Sequence, residues 1–218
     1  MSIELFVFDI AGTTVRDDGV VHHAFEETLR SADMTADESW IRARMGWNKV
    51  QVFSEALRNH GRSEGFAADL AARFSNEIRR SMDHSPPAPL DGAVEAMRAV
   101  RDRGGRVAFN TGYSTALAEE IIGRLGWNAD AVIGSDLVAH GRPAPDLILL
   151  AMSRVGTEDA GRVGVAGDTP SDLMAGSAAG CRWVVGVGHG THSLAELSRH
   201  PHTHLLANLR GLSEVLDG

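Results

Sequence analysis

The pattern of apolar and polar positions changes twice along the chain. Residues 3–8 form a nearly continuous apolar run of β-forming residues, which predicts a buried strand in a parallel sheet. From about residue 21 to residue 82 the apolar positions follow the helical period, and we predict four amphipathic helices and no strand there. Gly46 and Gly61 end two of these segments, and glycine is typical of the position that follows a helix.

After a proline-rich linker at residues 84–89, the rest of the chain alternates between strand and helix patterns. The predicted strands span residues 106–112, 130–135, 161–168, 182–188 and 202–207, and the predicted helices span residues 91–105, 114–126, 144–156, 171–180 and 209–218. Such alternation is typical of an α/β fold with a doubly wound parallel sheet. We therefore predict an α/β core domain of residues 1–17 and 86–218, with an inserted all-helical cap domain of residues 18–85.

Composition narrows the class of protein and of partner. At 43% hydrophobic and 23% charged residues, the chain has the composition of a globular domain. Its formal net charge of -8 argues against nucleic acid or an anionic membrane surface as the main partner. A single cysteine, Cys181, excludes an intrachain disulfide and fits a reducing compartment. The chain has no signal-peptide pattern and no long apolar run, so we expect a cytoplasmic protein.

Three polar loops follow predicted strands, namely "DIAGTT" at residues 9–14, "NTGYS" at residues 110–114 and "GDTPSD" at residues 167–172. In open parallel sheets the ligand binds beyond the carboxyl ends of the strands, so these loops mark the predicted site. Asp9 ends an apolar strand, where a carboxylate is costly unless it is paired or bound to a metal. The alternative for Asp9 is that it caps the following loop.

Lysine occurs only once among the 21 Lys and Arg residues, at Lys49 in the stretch "RARMGWNKVQV". A guanidinium stays protonated, whereas an amine can lose its proton and condense with a carbonyl group to form a Schiff base. The residue alone is also compatible with an ordinary solvated lysine on a helix. Trp47 and Met45 are candidates for an apolar environment that would lower the pKa of Lys49.

The three loops and "GRPAP" at residues 141–145 together resemble the four motifs of the haloacid dehalogenase superfamily, in the same order and over nearly the whole chain. Members of that superfamily use an aspartate nucleophile and Mg²⁺, mostly for phosphoryl transfer. The resemblance implies that Asp9 attacks phosphorus, that Thr111 binds the phosphoryl oxygens and that Arg142, in place of the usual lysine, neutralises charge between them.

The same resemblance implies a Mg²⁺ site made by Asp9, Asp168 and the backbone carbonyl of Ala11, a set of hard oxygen ligands. Asp172 would hold these ligands or Thr169 in place. From the sequence alone, Asp172 is also compatible with an acidic residue in the first turn of a helix, which is common.

Ala11 is a departure from most phosphatases of this superfamily, which carry an aspartate there to protonate the leaving alkoxide. A methyl group cannot act as a general acid, which typically contributes about 10²–10⁴-fold to the rate. "DIAGTT", Arg142 and the cap sequence "MGWNK" instead resemble the phosphonoacetaldehyde hydrolase branch. In that branch the cap lysine, here Lys49, forms a Schiff base with the substrate aldehyde, and the C–P bond then breaks to give an enamine.

The branch also implies a set of substrate-binding residues, which are Met45, Gly112, Tyr113, Ala11 and Gly12. That branch has a histidine three residues after the lysine, where this chain has Val52. His22 and His23 are candidates to replace it, and the alternative for both is an exposed histidine at a helix start. Cap closure would require hinges near residues 16–20 and 85–89.

Two other functions stay open at this point. The same residues are also compatible with a Mg²⁺-dependent phosphomonoesterase of a small phosphorylated metabolite, and with a non-catalytic phosphate-binding relative. In each case the expected partner is a small phosphonate or phosphate, and the branch also suggests a homodimer formed through the cap.

Overall fold

Six parallel strands form the centre of the molecule in the computed structural model, which describes residues 2–218. They are β1 (Leu5–Asp9), β2 (Arg106–Thr111), β3 (Ala131–Gly134), β4 (Val163–Gly167), β5 (Trp183–Val187) and β6 (His204–Leu206). The sheet order is β3-β2-β1-β4-β5-β6, and every pair of neighbours is parallel. The first strand is therefore central, and all five of its residues are buried. The predicted parallel sheet is confirmed.

Five helices lie between the first two strands, and we call the first four of them the helical insert: α1 (Val20–Arg30), α2 (Glu38–Arg42), α3 (Lys49–Asn59) and α4 (Ala67–His84). The others are α5 (Ala93–Asp102), α6 (Thr115–Arg124), α7 (Asp146–Val155), α8 (Pro170–Ala178), α9 (Leu194–Leu197) and α10 (Leu212–Asp217). The α/β class with an inserted helical segment is thus confirmed, while the domain limits at residues 17/18 and 85/86 stay a prediction. None of the helices in residues 2–218 is long and apolar enough to cross a membrane.

One of the two predicted glycine stops holds as expected. Gly61 follows α3 with a positive φ, and the amides of Gly61 and Arg62 donate to the carbonyls of Arg58 and Leu57, which is the Schellman arrangement. The prediction for Gly46 was wrong in its position, because α2 already ends at Arg42 and turns carry the chain to the glycine.

An aromatic cluster fills the interior of the helical insert and reaches the sheet. Phe25, Phe53 and Phe74 come from α1, α3 and α4, with ring centroids 4.8–6.1 Å apart. Phe74 also lies 6.1 Å from the ring of Tyr113, which follows β2. Because these four rings are buried, burial of their apolar surface holds the helical insert against the sheet.

Two chain segments connect the helical insert to the sheet, and they run side by side. The amide of Arg16 donates to the carbonyl of Ala88 at 2.9 Å, and the amide of Leu90 donates to the carbonyl of Thr14 at 2.9 Å. These contacts lie at or beside both predicted hinges. Hinge motion itself stays a prediction.

The helical insert also contacts loops that follow strands of the sheet, through polar side chains. The Arg42 guanidinium donates to both carboxylate oxygens of Glu196 at 2.8 and 2.9 Å, and the Asn48 amide donates to the carbonyl of Ser135 at 2.8 Å. A Cβ atom on Gly112 would lie 2.6 Å from the carbonyl oxygen of Gly46 and closer still to that of Trp47. The structure therefore has the helical insert closed onto the sheet.

Replacing Gly112 by alanine should push the helical insert away from the sheet, because the new methyl group meets two backbone carbonyls that cannot rotate away. We expect the free energy of unfolding to fall by about 1–3 kcal/mol, as for other overpacked sites. Denaturant unfolding measures this loss. Gly123→Ala is the matched control, since its Cβ meets no atom within 4 Å and helix propensity favours alanine there. Equal stability of the two variants would contradict the close contact.

Candidate active site

The carboxyl ends of β1, β2 and β4, the loop before α7 and the start of α3 surround one small cavity of about 20 Å³. Nine of the predicted site residues line it, namely Asp9, Ala11, Met45, Lys49, Thr111, Gly112, Tyr113, Arg142 and Thr169. The other three, Gly12, Asp168 and Asp172, lie outside its lining but contact the same loops. The predicted residues thus come together from the sheet and from the helical insert. Their roles stay predictions.

Asp9, Asp168 and Asp172 form a buried carboxylate group, with one oxygen of each within 4.8 Å of the others. Arg142 is 1% exposed and donates from one nitrogen, Nη1, to Asp9 Oδ1 at 2.8 Å and to Asp172 Oδ1. Burial raises the pKa of Asp9, while the Arg142 charge opposes the rise and the charge of Asp168 adds to it. Arg142 therefore stabilises the ionised form of the Asp9 carboxyl.

The guanidinium of Arg142 keeps unused donors. Its Nε and Nη2 are buried and have no hydrogen-bond partner among residues 2–218. Leaving buried donors unpaired costs free energy, and a planar guanidinium matches the oxygens of a phosphate or phosphonate. Thr111 adds another donor, because its hydroxyl oxygen accepts from the amide of Tyr113 at 3.2 Å and its proton is free to point elsewhere. The cavity is thus built to receive an anion.

Hydrogen bonds from neighbouring loop residues fix the carboxylates of Asp168 and Asp172. Asp168 accepts from the hydroxyl of Thr13 at 2.9 Å and from the amide of Thr191 at 2.6 Å, and burial raises its pKa. Asp172 accepts from the amide and hydroxyl of Thr169 at 3.2 and 2.6 Å, which makes the capping box of α8. Asp172 therefore acts as an acidic residue in the first turn of a helix and also orients Thr169 and Arg142.

The donor set fits a divalent cation. Three buried carboxylates face one guanidinium, so the site carries an excess of negative charge in the interior. Mg²⁺ prefers hard oxygen ligands, and Asp9, Asp168 and the backbone carbonyl of Ala11 would hold it. The ion would supply charge neutralisation for an incoming phosphoryl group.

Lys49 is the first residue of α3 and is only 6% exposed. Asn48 caps the helix by accepting from the amide of Gln51 at 3.1 Å, and this fixes the start of the helix and the direction of the lysine. The Nζ atom lies 5.2–5.7 Å from the ring centroids of Phe25, Phe74 and Tyr113. The lysine is therefore buried inside the aromatic cluster.

Burial, followed by the nearby charge of Arg142, lowers the pKa of Lys49 from 10.5 to about 7, while the carboxylates of Asp9 and Asp17 oppose the shift. About half of the amines are then neutral at pH 7, against about one in a few thousand for an ordinary lysine. The prediction that the Trp47 side chain supplies the apolar environment of Lys49 was wrong. Trp47 contributes its backbone carbonyl, which accepts from Nζ at 2.9 Å, and its ring faces a different side chain.

The two histidines proposed as replacements do not line the cavity. His22 pairs with Glu26 at 3.4 Å, His23 is exposed, and Val52 is buried in the core of the helical insert. The alternative, an exposed histidine at a helix start, describes His23, whereas His22 is half-buried and lines a neighbouring cavity.

Four residues of the cavity lining were not among the predicted site residues, and two of them, Asp17 and Thr191, have polar side chains. Asp17 lies in the segment before α1 and accepts from the amide of Val21 at 2.8 Å. Thr191 lies in the glycine-rich loop that follows β5, at the same edge of the sheet as the other loops. Applying the rule of strand ends to β5 would have found Thr191, whereas Asp17 reads from the sequence as a helix cap.

Comparison with known proteins finds hydrolases and phosphatases. A family model for haloacid dehalogenase-like hydrolases matches residues 3–180. The chain is 31% identical over 196 residues to "Probable phosphatase IndB" of Dickeya dadantii, covering 88% of this chain and 84% of that protein. It is 30% identical over 215 residues to a phosphonoacetaldehyde hydrolase of Bacillus cereus, covering 89% and 79%. A hydrolase from Pseudomonas syringae has the same fold, with a TM-score of 0.86 over 100% and 98% of the chains at 22% identity.

The protonation of Lys49 can be measured directly, because no other lysine is present. Protein labelled with ¹³C at the lysine Cε gives a single resonance, and in the metal-free protein we expect it to titrate with a midpoint near pH 7. The neutral amine forms as the pH rises through that value, so attack on a carbonyl should rise with pH and level off above it. A midpoint near 10.5 would contradict the buried position.

Mg²⁺ should raise the unfolding temperature of the protein, because it binds only the folded state. At about 100 times the Kd we expect roughly 5–10 °C. Asp168→Asn keeps one acceptor oxygen for the amide of Thr191, and its NH2 group can donate to the hydroxyl of Thr13, but it removes the charge and should lose the effect. Asp91→Asn, at an exposed position, is the control. An undiminished shift in the Asp168 variant would exclude this carboxylate as a ligand.

Proposed function

Because the chain belongs to the haloacid dehalogenase-like hydrolase family, we propose that it is a Mg²⁺-dependent hydrolase that cleaves the C–P bond of phosphonoacetaldehyde or a close phosphonate. The observation that carries this proposal is the buried Lys49, with a pKa of about 7, in the same cavity as Asp9 and Arg142. An enzyme that only transfers a phosphoryl group from an ester has no use for a neutral amine beside its nucleophile. The phosphonoacetaldehyde hydrolase relative supports the same choice.

The reaction begins at the amine. The Lys49 nitrogen attacks the aldehyde carbon, a C–N bond forms, and loss of water leaves an iminium ion. The iminium lies two bonds from phosphorus and accepts electrons from the carbon between them. The aromatic rings around Nζ keep bulk water away from this ion.

Asp9 then takes the phosphoryl group. One carboxylate oxygen attacks phosphorus, the C–P bond breaks, and its electron pair forms the C=C bond of an enamine. The unused Nε and Nη2 donors of Arg142 and the hydroxyl of Thr111 bind the phosphoryl oxygens. Water then attacks the aspartyl-phosphate and releases phosphate. Protonation of the enamine carbon and addition of water release acetaldehyde and free Lys49.

Ala11 agrees with this leaving group. The departing carbon is stabilised as an enamine and needs no proton while the C–P bond breaks. A phosphate ester, in contrast, leaves as an alkoxide and would lack its acid.

The second candidate function is a phosphomonoesterase acting on a small phosphorylated metabolite. The relative named as a probable phosphatase, at 31% identity, favours it. The same cavity, with Asp9, Arg142 and the Mg²⁺ ligands, would serve that reaction. Ala11 and the buried lysine argue against it, and the intact set of charged residues argues against a non-catalytic relative.

Phosphate release from phosphonoacetaldehyde, compared with a panel of phosphate monoesters, tests the proposal. We expect the phosphonate to be the better substrate by kcat/KM. Lys49→Arg keeps a positive charge but removes the nucleophilic amine, and should reduce C–P cleavage on the order of 10³-fold or more. Lys49→Met is a second, uncharged variant in case the buried guanidinium disturbs folding. Faster turnover of an ester, or near wild-type phosphonate cleavage by both variants, would overturn the proposal.

A further inference from the structure

Asp17 lies where the segment from β1 enters α1, and it lines the cavity that Lys49 also lines. It also lines two neighbouring cavities, one of about 100 Å³ between the segment and α4, and one of about 480 Å³ toward α2. Asp17 therefore lies between the reacting groups and two larger cavities. The reaction scheme above gives this carboxyl group no role.

The position of the carboxyl group is fixed on one side only. Its Oδ1 accepts from the amide of Val21 at 2.8 Å, which anchors it at the start of α1. The other oxygen has no hydrogen bond within residues 2–218 and is free for a ligand. Asp17 is also held close to the sheet, because the amide of the neighbouring Arg16 donates a hydrogen bond to the carbonyl of Ala88 in the proline-rich linker.

Schiff-base formation needs an acid at this place. After the amine has added to the aldehyde, the hydroxyl of the carbinolamine must leave, and it leaves as water only if it receives a proton. Among the titratable residues that line the cavity, Arg142 stays protonated, Asp9 is committed to phosphorus and Lys49 is the amine itself. Burial raises the pKa of Tyr113 well above 10, so the phenol is a poor acid. Asp17 remains.

We propose that Asp17 is a catalytic acid and base of the Schiff-base steps at Lys49, a role that rests on the proposed C–P hydrolase function. Its carboxylic acid donates a proton to the hydroxyl of the carbinolamine. The C–O bond breaks with its electron pair on the departing water, the nitrogen lone pair forms the C=N bond, and the products are iminium, water and the Asp17 carboxylate. When the final iminium takes up water, the carboxylate takes the proton back and the carbinolamine re-forms.

The charges around Asp17 suit both its protonated and its ionised form. Burial raises the pKa of Asp17, and the charges of Asp18 and Asp9 add to the rise, while the amide of Val21 and the charge of Lys49 oppose it. A raised pKa makes the protonated form of Asp17 easier to populate than that of an ordinary aspartate. Once ionised, the carboxylate faces an iminium cation and stabilises it.

The test separates the chemical role from the capping role. Asp17→Asn keeps an acceptor oxygen for the amide of Val21 but cannot donate an acidic proton, and Asp17→Ala loses both. Asp18→Asn is the matched control, because it removes the same charge from the next residue, which is exposed and lies 4.0 Å from Arg16. Asp17→Ser is a second variant that keeps a side-chain oxygen for the amide of Val21 but has no acidic group. Unfolding temperatures confirm that each variant folds.

The readout is the rate at which acetaldehyde and cyanoborohydride place an ethyl group on Lys49, followed by mass spectrometry. This probe needs no phosphorus chemistry. We expect trapping to slow on the order of 10²-fold or more in Asp17→Asn and Asp17→Ser, and to slow far less in Asp18→Asn, which removes only a neighbouring charge. Wild-type rates in Asp17→Asn together with a slow Asp17→Ala would make the residue a cap only and overturn this proposal. An untrapped wild-type protein would overturn the proposed function itself, so the two failures are distinguishable.

Discussion

Burial of a single amine is the constraint on which the rest of the site depends. A shift in the pKa of Lys49 from 10.5 to about 7 corresponds to on the order of 5 kcal/mol against the charged form. The fold tolerates this because the neutral amine still donates to the carbonyl of Trp47 and packs among aromatic rings. The same burial makes the amine a nucleophile. A surface lysine would cost less and would be almost entirely protonated at neutral pH.

The two halves of the site have opposite electrostatic problems, and Arg142 connects them. On the sheet, three buried carboxylates need positive charge, and Arg142 pairs with two of them. Toward the helical insert, the same positive charge helps to keep Lys49 neutral. One buried guanidinium therefore favours an ionised nucleophile on one side and an uncharged amine on the other. Neither half is a complete site, since Asp9 comes from the sheet and Lys49 from the helical insert.

Local patterns in the sequence predicted the sheet and the loops of the site, because strands are read from apolar runs and ligands bind at strand ends. They did not predict the surroundings of Lys49, since its three neighbouring rings come from α1, α4 and the loop after β2 and meet only in the folded chain. The four-residue helix α9, which starts at a Ser193–Glu196 capping box, is too short to give a periodic pattern. Asp17 was missed because its local role, accepting from a helix amide, hides its position on the cavity.

The central claim is that the only lysine of the chain forms a covalent bond to the substrate. Mass spectrometry and peptide mapping of protein treated with phosphonoacetaldehyde and borohydride test it most directly. We expect one ethyl group per chain, located on Lys49, and none when a phosphate monoester replaces the phosphonate. Release of phosphate from phosphonoacetaldehyde without any adduct at Lys49 would contradict it.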